Sequence, residues 1–175
     1  RVENCGYEAS PHMFLYHCNF GFPLVDQGSE LIAPSTEVRP RDADAAAGLD
    51  HHRIMDPPTP GYAEQVFYHD LRADAEGIVT VALVNRAFNG GQGLGVYLRY
   101  RQAELPRFIQ WKMMGQGTYV LGLEPGNAWV EGRSVEREHG TLRYISPGEV
   151  IEYYLEIGVL GSREEIGDIE KRIIG

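Results

Sequence analysis

With 175 residues, 43% of them hydrophobic, the chain has the material for one ordinary globular domain with its own core. A formal net charge of −9 and a pI near 5.1 argue against a phosphate-gripping surface, so nucleic acid is not an expected partner. No apolar run approaches the roughly 20 residues that span a bilayer, and no charged-then-apolar leader opens the chain, so neither a membrane nor secretion is expected.

The first element in chain order is "MFLYHCNFGFPL", Met13 to Leu24, which reads as a β-strand. Alternation puts Met13, Leu15, His17 and Asn19 on one face and Phe14, Tyr16, Cys18 and Phe20 on the other. Two hydrogen-bonding side chains thus interrupt an otherwise apolar pattern. Cys5 and Cys18 are the only cysteines, which makes no disulfide framework and no zinc knuckle, and a reducing cytoplasm is the expected compartment. The chain begins with Arg1, which leaves a processed product or a fragment open.

Ala33 to Gln65 is polar and proline-rich with no sustained period, and is expected to be a long loop, of the kind that more often forms a functional rim than an idle linker. "QVFYHDL" reads as a short strand and "GIVTVALVNRAF" as a longer one rich in β-branched residues. "NGGQG" is a turn, and "LGVYLRYR" the strand after it. "RFIQWKMM" and "TYVLGLEP", joined through Gly115 to Gly117, predict a hairpin. "GTLRYI" and "VIEYYLEIGVL" follow as strands, the latter placing Ile151, Tyr153, Leu155, Ile157 and Val159 on one face. The only convincing helix is "SREEIGDIEKRII", with Ser162 and Glu165 in capping-box spacing and Ile166, Ile169 and Ile173 on one side. The sum is an all-β, mainly antiparallel sandwich or barrel with a short C-terminal helix, in a single domain over 1–175.

In "TYVLGLE" a glycine and a carboxylate, Gly122 and Glu124, share a face with Val120. Glycine inside a strand suits a close approach of another group, and Pro125 holds Glu124 extended at a strand end. The alternatives are a solvated Glu before a turn and a site acid. Phe108, Gln110 and Lys112 share one face of their strand and Ile109, Trp111 and Met113 the other. Gln110 and Lys112 beside the hairpin partner's Glu124 would suit a site that grips hydroxyl groups, or simply form a polar face turned to water. His69 stands on a strand, a usual place for a plain hydrogen-bonded histidine. His51 and His52 are adjacent but lack partners at ligand spacing, so no metal is expected. Nucleophile elbow, phosphate loop and dinucleotide fingerprint are absent. "SPGE" before a strand is a faint cupin cue, but the histidines form no cupin ligand set.

"LYHCNFGFPLVDQGSEL" and "RFIQWKMMGQGTYVLGLEPGNAWVEGR" resemble the motifs of the aldose 1-epimerase-like proteins, in a branch related to galactose mutarotase. The resemblance runs from about Val2 to Leu160 and corresponds to the C-terminal half of such proteins. It implies the galactose-mutarotase-like supersandwich with sugar bound on a concave sheet face. It also implies anomer interconversion, with His17 as general acid and Glu124 as general base. Asn19, His69, Gln110 and Lys112 become candidate contacts to sugar hydroxyls, and Trp111 a stacking platform if it turns into the cleft. Two proton transfers suffice, so no cofactor is expected. His17 and Glu124 should face each other across a cleft the width of one pyranose ring. A non-catalytic carbohydrate-binding module of the same fold is the alternative, and self-association or pairing with an N-terminal half is expected where sheet edges are open.

Overall fold

The computed structural model describes residues 1–175. Two antiparallel sheets form a sandwich. The strands of the first are β3 (Cys18–Phe20), β5 (Ser35–Pro40), β6 (Gln65–Leu71), β9 (Arg107–Gly115) and β10 (Thr118–Gly126), in the spatial order β3-β10-β9-β6-β5. The second holds β4 (Glu30–Ile32), β7 (Ile78–Asn85), β8 (Leu94–Arg101) and β13 (Leu155–Leu160), in the order β13-β8-β7-β4. Two-residue strands β1 (Val2–Glu3) and β12 (Val150–Ile151) pair with each other, as do β2 (Ser10–Pro11) and β11 (Tyr144–Ile145). Short helices α1 (Ala43–Ala47) and α3 (Arg133–Glu138) and an irregular turn α2 (Phe88–Gly91) decorate the loops, and α4 (Arg163–Ile174) closes the chain.

The core between the sheets is built from alternate residues of both, among them Val79, Val81 and Leu83 on β7, Leu98 and Tyr100 on β8, Phe108 on β9, and Leu121 and Leu123 on β10. Helix α4 covers the outer face of the second sheet, setting Ile166, Ile169 and Ile173 on Ile32, Ala82, Val84 and Leu160. Its start is half of the expected capping box: Ser162 Oγ accepts from the Glu165 N–H at 3.2 Å, while the Glu165 carboxylate reaches one residue further back and accepts from the Gly161 N–H at 2.6 Å instead of from the Ser162 N–H. No helix is long and apolar enough to cross a membrane.

Three expectations change. The strand foreseen from Met13 narrows to Cys18–Phe20, with Leu15 adding only a single bridge to Gly126. Part of the foreseen loop is the strand β5, whose polar sequence and register shift between Ser35 and Glu37 mark it as an edge without an apolar alternation. The last predicted strand breaks in two, and Ile157 and Val159, though on the apolar side of β13, are 53% and 71% exposed.

Candidate active site

Register decides which side chains meet. On the first sheet Glu124 stands opposite Ile109, Ile109 opposite Tyr68, and Tyr68 opposite Arg39. One row along, Gly122 is flanked by Asn19 and Trp111, and Trp111 by Val66. Directly opposed residues share a face, so these side chains all point outward, away from the core. Cys18 pairs with Leu123, which sets His17 beside Glu124 on that same face while Cys18 itself turns inward. The interruption in the first strand's pattern is therefore an outward face, and Phe14, Tyr16, Cys18 and Phe20 supply the inward one.

His17 Nε2 lies 3.1 Å from Glu124 Oε1, with the histidine side chain 48% exposed and the carboxylate 4%. The pair is closer than the pyranose-wide separation expected from the sequence. Although the distance is that of an ion pair, the ring N–H is not aligned on the oxygen, and Oε1 is buried without a hydrogen-bond donor. Burial pushes the Glu124 carboxyl above its ordinary range, and the His17 charge pulls it part of the way back. Trp111 meets the His17 imidazole edge-on, ring centroids 5.6 Å apart.

These groups open onto a cavity of about 330 Å³ whose apolar walls are Leu15, Val66, Ile109 and Val130 and whose polar wall is Arg41 and Glu64. Glu64 accepts from the Trp111 indole N–H at 2.9 Å and from Arg41 at 3.1 Å, and both contacts hold its carboxyl below the usual range. The cavity thus contains two carboxylates whose surroundings move them in opposite directions, the arrangement that separates a proton acceptor from a fixed charge. A larger cavity of about 450 Å³ lies on the other sheet between Ile78, Arg99, Arg101 and Glu156, where Arg99 and Glu156 pair at 3.4 Å and no acid–base couple is present.

Gln110, Lys112 and His69 are corrected. Gln110 stands opposite Leu123, Lys112 opposite Leu121 and His69 opposite Phe108, so all three lie on the core face, at most 1% exposed, with the whole sheet between them and Glu124. Their partners show what they do instead. Lys112 donates to the carbonyls of His51 and Ile54 and to the Asp56 carboxylate at 3.1, 2.7 and 2.8 Å. Gln110 donates from Nε2 to the His52 carbonyl at 2.7 Å, which leaves its Oε1 to accept from His69 Nε2 at 3.1 Å. His69 Nδ1 then accepts from the Ser35 hydroxyl at 2.9 Å. This chain of bonds ties the 51–56 segment and β5 to the sheet. His51 and His52 belong to that segment, and no group of three or more His, Cys, Asp or Glu side chains is placed to hold a metal ion.

Burial pushes His69 down to about 3, which sets a pH dependence. Between its ordinary value near 6.5 and about 3 the unfolded chain holds a proton the folded one refuses, so its contribution to stability is complete above 6.5 and is lost as pH falls. The expected slope is about 1.4 kcal/mol per pH unit for the one proton. Urea titrations from pH 7 to 4 should show it in the wild type, and a flatter profile in His69→Gln.

Asn19 and Trp111 remain on the His17 face. Sequence reasoning missed Arg41, Glu64 and Val130. The first two lie in the segment taken for a loop, and only the pairing of the chain across Val66 shows that they face the pocket; the Arg41 N–H donates to the Val66 carbonyl at 2.9 Å. A family model described as a domain of unknown function, DUF4432, matches residues 1–159. The crystal structure of a protein from Klebsiella pneumoniae subsp. pneumoniae MGH 78578, described as a putative aldose 1-epimerase, is similar at 25% identity with a TM-score of 0.91. The match covers 98% of this chain and 44% of that one, so the chain spans less than half the length of its structural neighbour. No curated protein matches the sequence.

Proposed function

The chain belongs to the DUF4432 family, and we propose that it carries the acid and base of an aldose 1-epimerase-like site. The observation behind this reading is the His17–Glu124 couple, 3.1 Å apart on an open sheet face beside an indole. A sugar entering between them would present its C1 hydroxyl to Glu124 and its ring oxygen to His17. Glu124 takes the hydroxyl proton, the C1–ring oxygen bond breaks, and His17 protonates the departing ring oxygen. Rotation about the bond next to the new aldehyde and reclosure, with both protons returned, give the other anomer. A buried carboxylate with its affinity for protons raised is suited to the first transfer, and the two steps together use no cofactor.

Trp111 supplies a platform for the sugar ring, Arg41 and Glu64 on the cavity wall supply donors and acceptors for its hydroxyls, and Asn19, on the same sheet face across from Gly122, is a further one. The neighbour's name supports the substrate class. The neighbour is more than twice as long as the stretch matched here, and in this reading the remaining part of such a protein would complete the binding surface. The free thiols of Cys5 and Cys18 are compatible with a reducing cytoplasm as the site of action.

Saturation transfer between anomeric protons, measured by NMR over a panel of aldoses, tests the reading. His17→Ala should slow exchange by about 10²–10⁴-fold, the usual worth of a positioned acid or base. Equal rates for wild type and variant would sink it. The direct contact of His17 with Glu124 favours one alternative, a sugar-binding module in which the couple is never parted. That module would bind aldoses without accelerating exchange.

A further inference from the structure

Gly122 lies two residues before Glu124 and directly across the hairpin from Trp111. A Cβ built there would sit 2.5 Å from Glu124 Oε1, 3.2 Å from Trp111 Cβ and 3.3 Å from Trp111 Cε3. The first of these is well inside van der Waals contact, so any side chain at 122 would displace the carboxylate. Glycine weakens a strand, and the usual excuses do not apply to this one. Its backbone does not adopt a positive φ, and the β9–β10 register runs unbroken through it. What glycine provides is room.

We infer that Gly122 is a positioning residue, whose missing side chain forms the niche that holds the Glu124 carboxylate against the His17 imidazole. In that niche Oε1 is closed to solvent, has no donor, and is left 3.1 Å from His17 Nε2. Trp111 walls the niche on the β9 side, and its own orientation is fixed by the bond from its indole to Glu64. The inference rests on the proposed role of the His17–Glu124 couple, but the niche can be measured apart from any turnover.

The test compares wild type, Gly122→Ala, Glu124→Asp and the double variant. Gly122→Ala should lower kcat for anomeric exchange by about a hundredfold with little change in KM, the scale set by a misplacement of about 1 Å. A ¹³C-carboxyl NMR titration should show Glu124 moving toward ordinary carboxylate behaviour as the methyl group expels it into water. With the shorter Asp at 124 the same Ala should cost little in either measurement. Wild-type kcat and an unchanged Glu124 titration in Gly122→Ala would overturn the inference. Where the single variant does not fold, a folded double variant supports the niche. A double variant that unfolds as readily assigns the crowding to Trp111 and refutes it. A wild-type protein with the shifted titration but no exchange on any aldose would remove the proposed enzymatic function and leave the niche standing.

Discussion

Glu124→Gln should lower anomeric exchange by about 10²–10⁴-fold and at the same time raise the melting temperature. Both effects come from the same burial. The carboxylate is 4% exposed, faces Ile109 on the neighbouring strand, and has one oxygen without a donor, so its ionised form is poorly solvated in the native state. Its carboxyl is raised above the unfolded value, so stability is complete at pH below the unfolded range and is lost as pH rises through the folded value. Glutamine has nearly the same shape and no charge to desolvate. The stability gained by the variant should therefore be absent near pH 3 and grow toward neutrality, which differential scanning calorimetry at several pH values will follow. A variant that loses exchange but melts below the wild type at pH 7 would contradict the burial argument.

Lys112→Ala should be among the most damaging single substitutions, by about 2–4 kcal/mol in urea denaturation. The side chain is 1% exposed, so truncation removes packed methylenes from the core. It also leaves the carbonyls of His51 and Ile54 without their ammonium donor and releases Asp56. Lys112→Met keeps the stem and removes only the donors, so its loss should be intermediate. Because Lys112 lies across the sheet from the pocket, folded Lys112→Met should keep its kcat in the exchange assay.

The strands legible in the sequence are those whose alternation matches a half-buried surface. Gln65–Leu71, Ile78–Asn85, Leu94–Arg101 and the Arg107–Gly126 hairpin all lie where Val, Ile, Phe and Tyr recur. β5 escaped because "STEVRP" pairs on one side only and buries little. His17 and Glu124 could be paired through the resemblance of their motifs, and alternation set His17 on the face of Asn19, although His17 itself lies just ahead of β3, and Glu124 on the face of Gly122. The same rule had already divided β9, setting Gln110 and Lys112 apart from Trp111. What it could not provide was the pairing of β9 with β10, which sends Trp111 and not Gln110 to the face of Glu124. The residues Arg41 and Glu64 carry no local signal at all, since their meeting depends on how a loop and two strands are joined.

The division of the first sheet into two faces has a consequence for how such a protein can change. Every residue of the proposed pocket on β6, β9 and β10 has chain neighbours that point the other way, into the packed interior. Substitutions at Val66, Ile109 or Trp111 reshape the cavity wall, while those at Phe67, Gln110, Lys112 or Leu121 act on the core and the anchored loop. Stability and specificity are thereby written in alternating letters of the same strands. A library restricted to the outward letters should recut the pocket for new ligands, with the largest folding costs at the buried Val66 and Ile109 and with coupled rather than additive effects where residues stand opposite one another, as Val66 and Trp111 do.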